Sequence, residues 1–198
     1  AMPVMEGKCV LFKEFGNVNA VPICLDTQDT EEIIQAVKNI APGFGGINLE
    51  DISAPRCFEI EERLKEMLDI PVFHDDQHGT AIVVLAGIIN GLRVTGKKKE
   101  DCRVVVNGAG SAGVAITKLL LTYGFKHVTM CDREGIIGKD YPNLNWMQKK
   151  MTEVTNLENA SGTLADALRG ADIFVGVSAP NIVTPEMVSS MNKDAILF

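Results

Sequence analysis

Two pairs of acidic residues each follow a short apolar run of the sequence. Glu50 and Asp51 come after residues 44–49, and Asp75 and Asp76 come after residues 70–74. A helical pattern follows each run, and parallel β-α-β topology would place both strand ends at the same edge of a sheet. Four carboxylates there repel one another unless a cation lies between them. Hard oxygen ligands suit Mg²⁺ or Mn²⁺, so the spacing is compatible with a divalent-metal site, and two unrelated polar strand ends are the open alternative.

Two histidines and one lysine are further residues that could take part in chemistry. His74 and His78 flank the second acid pair and would be recruited in a zinc site, although buried or supporting histidines are the commoner case. Lys8 stands between Gly7 and an apolar run. A lysine that points from an apolar element into a cleft can act as a general base, and the alternative for Lys8 is an ordinary exposed lysine.

A glycine-rich turn begins a second pattern further along the chain. An apolar run at 102–107 leads into the motif G-x-G-x-x-G and then into an apolar helical segment. The glycines permit a tight turn and close approach of the backbone to a pyrophosphate, whose charge the helix N-terminus meets. This context predicts a dinucleotide site formed by Gly108, Ala109, Gly110, Ser111, Ala112 and Gly113.

The residues after the next two predicted strands complete that site. Asp132 ends the strand at 127–132, about 20 residues beyond the glycines, where an acid binds the ribose 2′-hydroxyl of NAD. Arg133 could instead meet a 2′-phosphate, so NAD is favoured and NADP stays open. Ser178 follows the strand at 171–176, where the nicotinamide half of the cofactor would lie.

Several elements must position these residues in an α/β fold. We predict a short strand at 21–26, a helix from residue 29 that ends at Pro42, a strand at 44–49 and a helix after Pro55. Residues 79–94 are apolar on all sides, which predicts a buried helix that bridges two halves of the molecule. We place the domain boundary after it, with residues 1–95 as a metal and substrate domain and 96–198 as a doubly wound Rossmann-type domain.

Composition excludes several other classes of protein. The net charge is −7 and the sequence pI about 5.0, and no basic stripe occurs, so nucleic-acid binding is not expected. Five widely spaced cysteines without a C-x-x-C motif indicate reduced thiols and a cytoplasmic protein. The sequence contains no signal peptide. No apolar run reaches the length of about 18 residues that a membrane-spanning helix requires. Both ends of the sequence look cut from a longer protein.

With these motifs in view, the chain resembles malic enzyme of the compact bacterial type. The resemblance spans essentially the whole chain and is carried by six segments in order, PVMEGKCVLF, AVPICLDT, GINLED, FHDDQHGTAIVVLAG, NGAGSAG and GVSAPNIVTPEM. It implies oxidative decarboxylation of malate to pyruvate and CO₂ with reduction of NAD(P)⁺, dependence on Mg²⁺ or Mn²⁺, and a homo-oligomer, expected to be a dimer.

The resemblance also implies a role for individual residues. Lys8 corresponds to the general base that takes the malate hydroxyl proton, and Asp75 to the acid that supports it. Glu50, Asp51 and Asp76 correspond to the metal ligands. The family's proton-donating tyrosine falls before Ala1, and Tyr123 and Tyr141 match no family position. A chain limited to these residues is therefore expected to be inactive by itself.

Two other functions fit the same motifs less completely. One is a metal-dependent 2-hydroxy-acid dehydrogenase that does not decarboxylate its substrate. The other is a fragment that binds a dinucleotide without turnover. Product analysis separates the first from a malic enzyme. A malic enzyme releases pyruvate and CO₂, whereas the dehydrogenase would retain a 2-oxo diacid.

Overall fold

The computed structural model of the protein describes residues 2–198, and all counts below refer to those residues. The chain divides into two compact units. The first comprises the described residues up to Ile47 together with Ile60–Val72. The second comprises Asn48–Glu59 and Phe73–Phe198. Both candidate sites that involve several residues lie within the second unit.

The first unit is helical over most of its length. Helix α1 (Met2–Gly16) buries none of its described side chains, whereas α2 (Thr30–Ile40) buries Ile33, Ile34 and Val37 along one face. Asp29 caps α2 by accepting hydrogen bonds from the Glu31 and Glu32 amides, as its position before an acidic first turn predicts. A short 3₁₀ turn (Ala41–Gly43) follows. The strand predicted at 21–26 is wrong, because that segment has no regular secondary structure.

Two short strands carry the acid pairs. Strand β1 (Ile47–Leu49) and strand β2 (Val72–His74) pair in a two-stranded sheet, and helix α3 (Arg56–Met67) connects them. The strand predicted at 44–49 is therefore three residues shorter than expected. A cis peptide bond joins Ala54 to Pro55 just before α3. This β-α-β arrangement brings the residues after each strand to a common place.

Helix α4 (Asp75–Thr95) differs from its prediction in two respects. It begins at Asp75 rather than Gly79, so both aspartates lie in its first turn, where the helix dipole favours negative charge. It is also not buried on all sides, because Ile82, Val83 and Val94 are 61–87% exposed. The helix ends at Gly96, whose left-handed backbone (φ 69°) caps it.

By length and composition, α4 is the one described helix that could cross a membrane, so the expectation of no such segment is wrong for α4. This is weak evidence, because core helices of soluble proteins meet the same criterion. Ala81, Ile88 and Leu92 of α4 pack into the core of the second unit, and its first turn carries two carboxylates.

A five-stranded sheet forms the centre of the second unit. Its order is β5-β4-β3-β6-β7, with β3, β4, β6 and β7 parallel and β5 antiparallel to β4. The chain moves from β3 outward to β4 and then returns to the other side of β3 to form β6. The α/β class and the doubly wound sheet are thus confirmed. The strands are β3 (Arg103–Asn107), β4 (His127–Asp132), β5 (Gly135–Ile136), β6 (Ile173–Gly176) and β7 (Ile196–Leu197).

Helices cover both faces of this sheet. On one face α4 packs with α5 (Ser111–Tyr123) over Val104 and Val106. On the other face α7 (Leu164–Leu168) packs over Val105 and Phe174. Alternate residues of β3 therefore serve opposite layers, as the two-residue period of a strand requires. The remaining helices are α6 (Trp146–Thr152) and α8 (Pro185–Ser189).

Candidate functional site

Three carboxylates converge where the two short strands end. Ligand oxygens of Glu50, Asp51 and Asp76 all lie within 4.8 Å of one another. Glu50 and Asp51 follow β1, and Asp76 is the second residue of α4, directly after β2. Oxygens on opposite sides of one Mg²⁺ would be about 4.2 Å apart, from bond lengths of about 2.1 Å. The described cluster therefore fits a small divalent cation in charge, ligand type and spacing.

Local backbone features hold this cluster together. Asp51 adopts a left-handed conformation (φ 56°), which Asp tolerates better than most residues, and this turns the chain sharply after β1. The next residue, Ile52, donates its backbone N–H to Nε2 of the fully buried His74 at 3.3 Å. Because that nitrogen accepts a backbone hydrogen bond, His74 supports the acid-bearing loop. This contact disfavours the zinc alternative.

Asp75 and Lys8, the residues assigned to proton transfer, lie in different compact units. Asp75 is half-buried at the start of α4, and a Cβ atom at Gly79 would overlap its carboxylate, so glycine leaves room for it. Lys8 is half-buried in the middle of α1. The joint action of Lys8 and Asp75 stays a prediction.

A cavity of about 670 Å³ opens at the carboxyl ends of β3, β4 and β6. This is the place where open α/β sheets bind ligands, because the connections from β3 to β4 and from β4 to β6 lead to opposite sides of β3. The predicted residues that line it are Gly108, Ala109, Gly110, Asp132, Arg133 and Ser178. Ser111, Ala112 and Gly113 form the first turn of α5 beside it.

The glycines of the turn have distinct roles in this geometry. Gly108 has φ 118°, and a Cβ there would approach the Val177 carbonyl oxygen at 2.7 Å. A Cβ at Gly113 would overlap the Gly108 carbonyl oxygen, so this glycine allows α5 to pack against the turn. Gly110 has open space around its Cβ position and forms the N-cap of α5. Its open side faces the cavity, where a pyrophosphate needs close approach.

Asp132 is held in place at the end of β4. Its Oδ1 accepts a hydrogen bond from the Arg133 backbone N–H at 2.9 Å, and its Oδ2 accepts one from Gln148 Nε2 at 3.4 Å. Asp132 is half-buried, whereas Arg133 is exposed. A fixed acid at this position suits the ribose hydroxyls of NAD and repels a 2′-phosphate.

Several further residues line the cavity although sequence reasoning did not single them out, and three of them bear on the site. Ala54, Asn107 and Gln148 all line it. Gln148 belongs to a capping box with Asn145 at the start of α6, a local signal that could have placed its backbone but not its contact with Asp132. Ala54 comes from the loop that also carries the acid pair.

The glycine-rich turn and the cavity at the edge of the parallel sheet define a dinucleotide-binding α/β protein. The family model of the malic enzyme N-terminal domain matches residues 1–65, and that of the malic enzyme NAD binding domain matches residues 77–195. The second match covers more than half of the sequence, so the chain belongs to the malic enzyme family.

Curated relatives match all or nearly all of this chain, which spans only 26–48% of their own length. The chain is 60% identical to an NAD-dependent malic enzyme of Geobacillus stearothermophilus and covers 41% of it. It is 53% identical to a bifunctional malic/malolactic enzyme of Bacillus subtilis and covers 48% of that protein. An NADP-dependent malic enzyme of Rhizobium meliloti is 45% identical, with 26% of its length covered. Relatives using either cofactor are therefore similar to this chain.

Solved structures agree with these relatives. The NAD-dependent malic enzyme of Thermotoga maritima superimposes with a TM-score of 0.96 at 51% identity, over all of this chain and 53% of that one. Malic enzyme from Pyrococcus horikoshii gives 0.92 at 45% identity, over 99% of this chain and 48% of its own. An ornithine carbamoyltransferase from Pyrococcus furiosus, at 13% identity and 0.53, shares the fold alone.

Proposed function

We propose that the protein to which this chain belongs converts malate to pyruvate and CO₂ while reducing a nicotinamide dinucleotide. The observation that carries the proposal is the presence, in one compact unit, of a three-carboxylate cluster and a cavity behind a glycine-rich turn. Oxidation of a hydroxyl carbon needs a hydride acceptor, and loss of CO₂ needs stabilisation of the negative charge left behind. The two sites match these two requirements.

Each group of residues has one task in this proposal. The glycine-rich turn and the N-terminus of α5 bind the cofactor pyrophosphate, and Asp132 holds the adenosine ribose. Lys8 accepts the proton of the malate C2 hydroxyl as the hydride leaves C2, and Asp75 supports Lys8. Glu50, Asp51 and Asp76 hold a divalent cation, Mg²⁺ or Mn²⁺, which supplies Lewis-acid stabilisation of the substrate oxygens.

The decisive test is malate-dependent cofactor reduction by the full-length protein with Mn²⁺. We expect pyruvate, CO₂ and NADH in equal amounts, and a retained 2-oxo diacid or the absence of reduction with both cofactors would contradict the proposal. Lys8→Ala is expected to lower kcat by about 100-fold or more, the typical contribution of a general base, with Mn²⁺ affinity retained. Lys13→Ala is the matched control, because Lys13 is an exposed lysine on the same helix.

NAD is the proposed cofactor in preference to NADP. The half-buried position of Asp132 and its two hydrogen bonds support this choice, since a carboxylate fixed there opposes a 2′-phosphate. The exposed Arg133 next to it is the feature that favours NADP. Calorimetric titration with each cofactor separates the two, and tighter binding of NADP⁺ would overturn the preference.

Self-association, as a dimer, is also proposed. Val10, Leu11 and Phe15 on α1 are 54–83% exposed, an apolar surface that a second subunit could cover. Sedimentation of the full-length protein tests this, and a monomer at micromolar concentration would contradict it.

A cytoplasmic location is proposed from the thiols. Cys9, Cys24, Cys57, Cys102 and Cys131 form no disulfide bond with one another, and burial raises the pKa of the Cys131 thiol to about 12, which keeps it uncharged and unreactive. Cell fractionation tests the location.

A further inference from the structure

Asn107 and Ser178 face each other across the point where the sheet order reverses. Asn107 is the last residue of β3, and Ser178 lies two residues beyond β6, the neighbouring parallel strand. Both residues line the cavity. The Val177 backbone N–H donates to the Asn107 carbonyl oxygen at 2.9 Å, so the main chains of the two strand ends are fixed relative to each other.

A side-chain hydrogen bond adds direction to this contact. Asn107 is 5% exposed, and its Nδ2 donates to the Ser178 Oγ at 2.9 Å. Ser178 itself is exposed to the cavity. A serine hydroxyl has one hydrogen to donate and two lone pairs to accept with. Since the asparagine occupies a lone pair, the hydroxyl hydrogen is left to point away from Asn107.

The position of Ser178 identifies the part of the ligand that it meets. Asp132 ends β4 on one side of β3, and Ser178 follows β6 on the other side, with the glycine-rich turn between them. If Asp132 binds the adenosine ribose and the turn binds the pyrophosphate, the other half of a dinucleotide extends towards Ser178.

We propose that Asn107 is a positioning residue that orients the Ser178 hydroxyl to donate a hydrogen bond to an oxygen in the nicotinamide-bearing half of the cofactor. The acceptor is either a hydroxyl of that ribose or the carboxamide oxygen. This inference rests on the proposed dinucleotide binding and adds to it a residue with no direct role in contacting phosphate or adenosine.

Three ligands that share chemical parts test the proposal by calorimetry. AMP contains only the adenosine half, ADP-ribose adds the second ribose, and NAD⁺ adds the nicotinamide. Ser178→Ala is expected to weaken NAD⁺ binding about five- to tenfold, the effect of one neutral hydrogen bond, and to leave AMP binding unchanged. An equal loss for ADP-ribose identifies the ribose as the acceptor, and an unchanged ADP-ribose affinity identifies the carboxamide. Both results support the proposal.

Asn107→Leu removes the amide at similar volume and tests whether Asn107 acts through Ser178. It is expected to weaken NAD⁺ binding about as much as Ser178→Ala, and to have no further effect when the two substitutions are combined. A merely structural role of Asn107 predicts additive losses that extend to AMP. Thermal unfolding of each variant identifies any folding defect, and the exposed Ser178→Ala variant carries the test if Asn107→Leu does not fold.

Different binding results would contradict the role of Asn107 and Ser178 and the proposed function. Wild-type protein that binds neither AMP nor NAD⁺ would overturn both. Wild-type protein that binds NAD⁺, with variants that either bind it equally well or lose AMP to the same extent, would overturn only the role of Asn107 and Ser178.

Discussion

The carboxylate cluster and the cofactor cavity differ in what prepares them for a ligand: charge in the cluster and packing in the cavity. Glu50, Asp51 and Asp76 bring like charges within 4.8 Å, an arrangement that a cation would stabilise. The cavity is built largely from backbone, with Gly108 and Gly113 at positions where any side chain would collide with main-chain atoms. The first site therefore gathers negative charges that a bound cation would offset, whereas the second is shaped by packing before a ligand arrives.

The strongest test of this contrast is Gly113→Ala. The added methyl group would overlap the Gly108 carbonyl oxygen, and backbone cannot move aside as a flexible side chain can. We expect a loss of about 3 kcal/mol or more in the free energy of unfolding, which corresponds to a fall in Tm of about 10 °C. Thermal unfolding monitored by circular dichroism measures it.

Gly110→Ala is the matched control for that experiment. Its Cβ would meet no atom within 4 Å, and its φ of −85° suits alanine. We expect a Tm close to that of the wild type together with weaker NAD⁺ binding, because the methyl group would occupy space needed by the pyrophosphate. A similar Tm for both variants would mean that packing does not shape the turn.

Asp172 shows how the same fold stabilises a carboxylate with its own groups. Burial raises the pKa of this carboxyl, but hydrogen bonds from Lys97, the Arg103 backbone N–H and Asn192 outweigh burial and lower the pKa overall. A lowered folded-state pKa contributes stability above the unfolded value of about 3.9, and this stability is lost as pH falls through the folded value. Asp172→Asn should therefore destabilise the protein at pH 7 by about 3 kcal/mol.

Measurement of unfolding by urea between pH 3 and pH 7 checks this expectation. The difference in stability between wild type and Asp172→Asn should begin to shrink below about pH 4, where the carboxyl of the unfolded chain becomes protonated, and should go on shrinking as pH falls through the lowered folded-state pKa. A difference that is constant across this range would show that the loss comes from packing and not from charge.

Without metal, neutralising a carboxylate of the cluster should change the stability of the protein in the opposite direction from Asp172→Asn. Without metal, Asp51→Asn removes repulsion and is expected to raise Tm slightly, and asparagine tolerates the left-handed backbone equally well. With Mn²⁺, the same change should weaken metal binding about 10- to 100-fold by removing an anionic ligand. Asp194→Asn is the control, since Asp194 is also exposed and left-handed (φ 55°).

Titration with Mn²⁺ by calorimetry, with EDTA-treated protein as the starting material, measures both effects. Unchanged Mn²⁺ affinity in Asp51→Asn would remove this residue from the metal site. A lower Tm of the metal-free variant would show that the cluster is already balanced by protein groups.

The smallest effect is expected at Asp132. Asp132→Ala should lower NAD⁺ affinity about tenfold, because it removes the hydrogen-bond acceptor for the ribose. It should also reduce the ratio of NAD⁺ affinity to NADP⁺ affinity, because it removes the charge that opposes a 2′-phosphate. Asp140→Ala, a change at an exposed acid in the nearby loop, should alter neither affinity. If Asp132→Ala lowered the affinities for NAD⁺ and NADP⁺ equally, Asp132 would act by shaping the cavity and not by distinguishing the two cofactors.

Local signals explain which elements the sequence could predict. The glycine-rich turn, the apolar runs of β3, β4 and β6, and the cap residue Asp29 are each determined by neighbours in the chain. The convergence of the two acid pairs also followed from β-α-β topology. Three of the four acids, Glu50, Asp51 and Asp76, meet in the cluster, and Asp75 lies beside Gly79.

The features that the sequence analysis did not predict depend mainly on contacts between residues that are distant in the sequence. Residues 21–26 have strand-like composition, but a strand requires another strand to pair with. The first turn of α4 is polar, so the apolar pattern places the start of the helix at Gly79, although acids are favoured at a helix N-terminus. The contact between Asn107 and Ser178 joins residues 71 positions apart, which no local pattern reveals.

The loop between β1 and α3 gives the two sites a common part. It starts with the acid pair and reaches the cavity wall at Ala54, three residues beyond Asp51. An ion that restricts Asp51 is expected to restrict Ala54 as well, so part of the entropic cost of cofactor binding would already be met. Thermodynamic reciprocity then requires NAD⁺ to raise the affinity for Mn²⁺ by the same factor, a heterotropic coupling that titration of each ligand at saturation of the other measures.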